Sequence, residues 1–262
     1  MLRGGGSRTK RRGTTADRTV YRLGVDLTIL RKAYSRGESG GSDVALTRWV
    51  RLSRMFTGLV QAMGVVDRIS PSAEGARLAI DFGGWPLRPD LGASISVSGC
   101  CLTVVEVVEG VVSFDVIHRT LEMTTLGGFE PGDSVNLEPA ATLQTALGGH
   151  LVQGHVDGVG RVVSVQEGDD WRVRVECGEG IAPHLVDRGS ITVDGVSLTV
   201  AVVLRGDDGE SRGFEIALIP ETLERTTLRG LQIGDGVNLE ADVISKMVAG
   251  HVDRVLADRR GS

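Results

Sequence analysis

The side chains in this sequence with chemical reach are a thiol pair, a few hydroxyls, two carboxylates and scattered imidazoles. Cys100 and Cys101 stand side by side, with Ser94 before them and Thr103 after, while His155 follows a glycine at Gly154. A thiolate is a strong nucleophile when its pKa is lowered, and a histidine moves protons near neutral pH. Neighbours in a strand point to opposite faces, so at most one of the two cysteines faces a site, and Cys100 is expected to face the core. The competing reading makes both cysteines small apolar packing groups, and His155 a surface or structural residue. Asp194-Gly195 reads either as a hairpin turn or as a carboxylate placed in a site by that turn. His150 reads as a structural linker residue, and His118 and His251 as ordinary exposed ones. Neither a GxGxxG unit nor a GxxxxGK[ST] loop occurs, so no nucleotide cradle is indicated.

These residues must be positioned by something that occurs twice. The stretch Gly58–Gly64 matches Gly154–Gly160, and Val97–Val104 matches Val193–Val200, both at an offset of 96. Thr120–Leu126 then matches Thr222–Leu228, and Gly132–Glu138 matches Gly234–Glu240, now at 102. The extra six residues fall in the Gly/Asp-rich stretch Arg205–Arg212, where a longer hairpin loop absorbs an insertion. The copies differ at one informative place: Cys101 of the first corresponds to Ser197 of the second.

Each copy reads as short β-rich runs separated by Gly, Pro or Asp. In the first these are Leu59–Val66, Arg77–Phe82, Ser94–Val97, Leu102–Val108, Val111–Ile117 and Ser134–Leu137. In the second they are His155–Val165, Arg172–Glu176, Ser190–Val193, Ser197–Leu204, Phe214–Ile219 and Gly236–Leu239. About six strands per copy at roughly ten-residue spacing predict an all-β protein of two small closed barrels, and closure removes exposed Val-rich edges. The Thr-Leu-Glu segments at 120 and 222 predict a helical turn with Thr as N-cap. After the second copy, Ile244, Met247, Val248, Val252, Val255 and Leu256 recur at helical spacing, which predicts an amphipathic helix over 242–258. That helix packs either on its own chain or against copies of itself.

Composition bounds the function classes. Residues 1–54 carry 13 Lys+Arg and 4 Asp+Glu out of 29 and 34 in the whole chain, which leaves 16 basic and 30 acidic side chains in the body. An acidic body is a poor partner for nucleic acid, whose affinity comes from Lys and Arg. The basic segment reads as a disordered extension ahead of a natural start at Met55, with an organelle transit peptide or a nucleic-acid-binding arm as alternatives. No apolar run is long enough to span a membrane, and three cysteines, two of them adjacent, make no disulfide framework, which points to a reducing, cytoplasmic setting.

The motifs Met55–Val60, Ser98–Val104, Gly148–His155, Asp194–Thr199 and Ile219–Thr227 resemble the riboflavin synthase family of lumazine-binding-repeat proteins, in the family order and over Met55 to about Ala257. The resemblance implies two six-stranded Greek-key barrels, over 55–151 and 152–241, and a C-terminal helix through which three protomers associate. It implies a transferase that disproportionates two molecules of 6,7-dimethyl-8-ribityllumazine by four-carbon transfer, giving riboflavin and 5-amino-6-ribitylamino-uracil. No external oxidant takes part, so no cofactor and no metal are expected. Association with lumazine synthase is a further partner that the resemblance raises.

The resemblance also assigns residues. Cys101 and Ser94 fall where the family has a catalytically implicated thiol and hydroxyl, and His155 matches a histidine near the first site. Substrate contacts are expected in the first barrel from Gly58, Leu59, Val60, Leu102, Thr103, Asp115, Val116, Ile117, His118, Arg119 and Thr120, together with Gly154 and Val156. In the second barrel they are expected from Asp194, Ser197, Leu198, Thr199, Ile219, Pro220, Glu221, Thr222, Leu223 and Glu224, with Arg188 at the pocket mouth. Asp194 and Ser197 align with family residues that face the first barrel of a neighbouring protomer. Arg188 stands where many members have Lys, and Gln153 where many have Ser, which puts contact details in doubt. Two other readings compete: a non-catalytic lumazine- or flavin-binding protein of the same superfamily, and a duplicated barrel used only for protein interaction.

Overall fold

The computed structural model describes residues 55–260; the basic extension over 1–54 lies outside them. Twelve strands form two closed antiparallel barrels. The first comprises β1 (Ala62–Ser72), β2 (Gly75–Asp81), β3 (Ser94–Val97), β4 (Cys100–Val108), β5 (Val111–Ile117) and β6 (Ser134–Pro139), closed in the order β1-β2-β5-β4-β3-β6. The second repeats it with β7 (Gly158–Gln166), β8 (Trp171–Glu176), β9 (Ser190–Val193), β10 (Val196–Arg205), β11 (Ser211–Leu218) and β12 (Gly236–Ala241), closed in the order β10-β11-β8-β7-β12-β9. The all-β duplication is as the sequence predicts, and the six extra residues fall in the β10–β11 hairpin, where they lengthen both the strands and the loop.

Alternation along the strands explains the closure. In β4, Cys100, Leu102 and Val104 are buried while Thr103 is exposed, and the inward residues join Leu78, Ile80, Phe114, Leu126 and Leu137 in one apolar core. The second barrel has its own core around Val173, Val175, Ile191, Phe214, Ile216 and Leu239. Register shifts at Val66/Arg68, Val104/Glu106, Val162/Ser164 and Val200/Val202 recur at matching places in the two copies. A bulge bends its strand and raises the local twist, which lets six short strands curl into a small barrel.

Two strands start three residues later than the sequence reading. β1 begins at Ala62 rather than Leu59, and β7 at Gly158 rather than His155. Gly58 and Gly154 hold φ of +73° and +75°, a left-handed conformation that ends an extended run. The residues ahead of each barrel are therefore separate lead segments, and they pair with each other through Phe56 N–H to the Val152 carbonyl at 2.7 Å and Val152 N–H to the Phe56 carbonyl at 3.1 Å.

The short helices α1 (His118–Met123) and α2 (Pro220–Arg225) also correct an expectation. Their N-caps are Ile117 and Ile219, without a side-chain cap bond, and Thr120 and Thr222 lie inside the helices. Thr124 and Thr226 instead cap the 3-10 turns that follow, Thr125–Gly128 and Thr227–Gly230: each donates its hydroxyl to the carbonyl four residues back at 2.7 Å and accepts from the N–H two residues on. A third helix, α3 (Val243–Arg260), follows the second barrel and leaves Ile244, Met247, Val248, Val252, Val255 and Leu256 all exposed. No helix of the described residues is long and apolar enough to cross a membrane.

A reciprocal seam joins the barrels. Asn136 on β6 donates to the Asp194 carbonyl at 2.9 Å and accepts from Thr227 N–H at 2.9 Å. Its counterpart Asn238 on β12 donates to the Ser98 carbonyl and accepts from Thr125 N–H, both at 2.8 Å, and also donates to Thr125 Oγ1. Both asparagines are almost fully buried, where an unpaired donor or acceptor costs about 1–3 kcal/mol. Asn238→Ala strands the Ser98 carbonyl and the Thr125 N–H together. Chemical denaturation is expected to show a loss of about 2–4 kcal/mol, against less than about 0.5 kcal/mol for an exposed control such as Gln166→Ala.

Candidate active site

Each lead segment is fastened to its own barrel by a buried glutamate and laid against the other barrel. Glu138 accepts from Thr57 N–H and Thr57 Oγ1, both at 2.7 Å, and from Gly58 N–H at 2.9 Å. Glu240 accepts from the N–H groups of Gln153, Gly154 and His155 at 2.7, 2.9 and 3.0 Å. The glycine carbonyls then cross the seam: Cys101 N–H donates to Gly154 at 2.9 Å, and Ser197 N–H to Gly58 at 2.8 Å. A Cβ at Gly154 would lie 2.6 Å from that of Cys101, and one at Gly58 would lie 2.5 Å from that of Ser197. Only glycine permits both that approach and the left-handed backbone.

In the first barrel the result is an open cleft of about 310 Å³ lined by Cys100, Cys101, Arg119, Thr120, Met123, Thr124, Gly154, His155 and Val156. Cys101 is partly exposed and its Sγ lies 3.6 Å from the Oγ of Ser94 on the neighbouring strand. Cys100 faces the core as the alternation requires, and burial pushes its thiol up to about 12, which keeps it protonated and unreactive. The cleft therefore presents one usable thiol, a hydroxyl beside it, an exposed imidazole from the second copy and an arginine from α1.

The matching place in the second barrel is built differently. Ser197 Oγ lies 2.7 Å from Nδ1 of His150, whose Nε2 is 3.3 Å from Thr192 Oγ1. Burial pushes the His150 imidazole down, so it is neutral near pH 7, and a neutral ring carries one donor and one acceptor for its two hydroxyl partners. His150 comes from the segment that links the barrels. The sequence offered no sign that it reaches Ser197, because the contact spans 47 residues and depends on closure of the second barrel. Gly58 and Val60, expected in the first barrel, lie against the second instead: Gly58 abuts Ser197 and Val60 packs on the second core, while Leu59 is exposed. Val156 correspondingly packs on the first core.

Other expected residues divide by strand face. Leu102, Val116 and Leu223 turn into the cores, and Leu198 packs partly against the second. Asp115 is exposed and accepts from Arg77 Nε at 2.6 Å. Thr103, Ile117, His118 and Thr199 are exposed, as are Ile219, Pro220, Glu221 and Glu224, and Glu221 pairs with Arg225. Arg188 is exposed and held at φ +64° with its N–H on the Val200 carbonyl. Asp194 departs most from expectation. It is buried in the seam within the chain, at φ +44°, where its carboxylate accepts from Asn238 N–H at 2.8 Å. The hairpin-turn alternative describes it, and its carboxylate faces its own chain's β12.

Known proteins match this architecture. A family model described as the lumazine binding domain matches residues 57–140 and again 153–242. A curated protein named riboflavin synthase from Mycobacterium bovis is 45% identical over 197 residues, covering 74% of this chain and 96% of that protein. Proteins of the same name from Brucella abortus and Chlamydia pneumoniae are 39% and 37% identical, covering 74% and 78% of this chain and 96% and 98% of theirs. Among solved structures, LumP complexed with 6,7-dimethyl-8-(1'-D-ribityl) lumazine is similar with a TM-score of 0.62 and 28% identity, covering 71% of this chain and 98% of that one.

Asp194 yields a pH prediction. Burial raises its carboxyl from 3.8 to about 7, so between these values the folded chain holds a proton that the unfolded chain has lost. Its contribution to stability is complete below about pH 4 and is lost as pH rises towards about 7, at about 1.4 kcal/mol per unit. Asp194→Asn keeps an acceptor for Asn238 and tolerates the left-handed backbone. Its stability relative to the parent is expected to grow from pH 4 to pH 7 and then level off, as read from urea midpoints across that range.

Proposed function

The chain belongs to the lumazine-binding domain family, and we infer from that membership that it is a riboflavin synthase. It converts two molecules of 6,7-dimethyl-8-ribityllumazine into riboflavin and 5-amino-6-ribitylamino-uracil. The observation that carries this reading is the exchange of walls between two homologous barrels, which sets a thiol-bearing cleft and a hydroxyl-bearing counterpart in one chain. A transfer between two identical substrates calls for two related binding places, and holding them in register converts an encounter into an effectively unimolecular step.

The four-carbon unit leaves one lumazine and joins the other, and the two products together contain all the atoms of the two substrates, so the balance needs no external oxidant. A nucleophile must add to one ring and a proton must leave a methyl group of the other. We assign the first task in the first cleft to Cys101, with Ser94 as its hydrogen-bond partner at 3.6 Å, and proton transfer there to His155. Arg119 and Thr120, which line the same cleft, contact the polar substrate edge. A volume of about 310 Å³ suits one small heterocycle. In the second barrel the corresponding group is the hydroxyl of Ser197, already engaged by His150, and this inequality suits unlike donor and acceptor roles.

The exposed apolar face of α3 supports association of three protomers, which would bring the first barrel of one chain to the second barrel of another. A cytoplasmic site of action and association with lumazine synthase accord with a soluble biosynthetic enzyme and complete the proposal. Incubating the purified chain with 6,7-dimethyl-8-ribityllumazine alone tests the assignment. Riboflavin and the pyrimidine are expected in equal amounts, and Cys101→Ala is expected to lower kcat by about 10²-fold or more. Lumazine binding without turnover would place the chain among non-catalytic carriers instead.

A further inference from the structure

The two lead segments are held alike at their beginnings and unlike at their ends. Asp157 and its counterpart Gln61 each give a backbone N–H to the last strand, to the Leu239 carbonyl at 2.8 Å and the Leu137 carbonyl at 2.9 Å. The side chains then diverge. Asp157 Oδ2 accepts from Ala241 N–H at 2.8 Å, and its two oxygens take Lys246 Nζ at 3.0 and 2.8 Å. Gln61 is exposed and turns back to the Leu59 carbonyl. At the position of Ala241 the first copy has Pro139, which has no N–H to give.

Lys246 lies in the first turns of α3, and its side chain and that of Asp157 are each only 23% exposed. It also faces the buried carboxylate of Glu240, whose charge it favours. The wall over Gln153–Asp157 is thus gripped at its start by Glu240 and at its end by Lys246. Gly154 and His155, the residues that meet the Cys101 cleft, belong to the first grip through their backbone N–H groups, and only Val156 separates His155 from the second. The first-copy wall is held by Glu138 and by the Gln61 N–H, and among the described residues no ion pair matches that of Lys246 there.

We propose that Lys246 is a positioning residue: through Asp157 it clamps the far end of the wall that carries His155, so that the C-terminal helix sets the geometry of the first cleft and not of the second. The proposal rests on reading the first cleft as the thiol site of a riboflavin synthase. Displacing an aligned catalytic group by about 1 Å can cost about 10²-fold in rate, and a wall released at one end has that freedom.

The test is lumazine turnover by the full-length chain and its variants, with kcat and KM measured separately. Lys246→Met is expected to lower kcat about tenfold with KM changed less than about threefold. Lys246→Arg, which keeps the ion pair, is expected to retain at least about half of kcat. Ser245→Ala is the control, since it removes another tie of α3, the 2.9 Å bond from Ser245 Oγ to the His184 carbonyl, without touching the wall. Its kcat should stay within about twofold of the parent. If Lys246→Met folds poorly, Asp157→Asn, which keeps an acceptor for the Ala241 N–H but loses the ion pair, should lower kcat by a similar factor. Unchanged kcat in Lys246→Met, or an equal fall in Ser245→Ala, would overturn the proposal and leave the assigned function standing. A parent chain that makes no riboflavin would overturn that function and this inference with it.

Discussion

A carboxylate buried on the last strand of each barrel sets the terms for everything around it. Glu138 and Glu240 are 4% and 2% exposed, and an ionised carboxylate taken out of water needs several hydrogen-bond donors to replace its hydration. The donors are the backbone N–H groups of a segment that cannot itself be a strand, because its glycine holds a left-handed φ. Burial still raises both carboxyls above their ordinary values despite those donors. The lead segments lie where they do because those oxygens must be satisfied there.

From that constraint the pairing of the barrels follows. A lead segment held by its own barrel turns its glycine carbonyl outward, and the N–H that meets it belongs to the other barrel, at Cys101 or Ser197. The asparagines two residues before the glutamates, Asn136 and Asn238, bind the opposite barrel's turns. One short duplicated run, Val-Asn-Leu-Glu, therefore supplies a core residue, a cross-barrel staple, a second core residue and the grip on a cleft wall. Strand alternation separates these duties only in part, since all four residues are buried; the asparagine and glutamate emerge where the barrels meet.

The duplication then becomes unequal by small steps. Cys101 against Ser197 changes a thiol for a hydroxyl, and His150 engages that hydroxyl from the inter-barrel segment. Asp157 against Gln61, and Ala241 against Pro139, allow an ion pair with the C-terminal helix on one wall only. Two sites of common descent that handle the same molecule must differ if one is to give and the other to receive. The differences lie beside the clefts and leave both barrel cores intact.

The sequence by itself determined the duplication, the strand-rich closed architecture, the amphipathic C-terminal helix and the inward turn of Cys100, because these depend on local periodicity and on matches at a constant offset. It also singled out Cys101, Ser94 and His155, whose residue types and motif positions are visible without any fold. Tertiary structure alone decided which barrel each lead segment serves, so that Gly58 borders Ser197 and not Cys101, and that Asp194 belongs to the seam. It alone brought His150 to Ser197 and Lys246 to Asp157, and gave Glu138 and Glu240 their task. Those outcomes depend on contacts between residues some 40 to 90 positions apart, made when two closed barrels press together and buried charge must find its donors. No periodicity along the chain encodes such a meeting, because it is set by which polar groups the closed barrels leave without water.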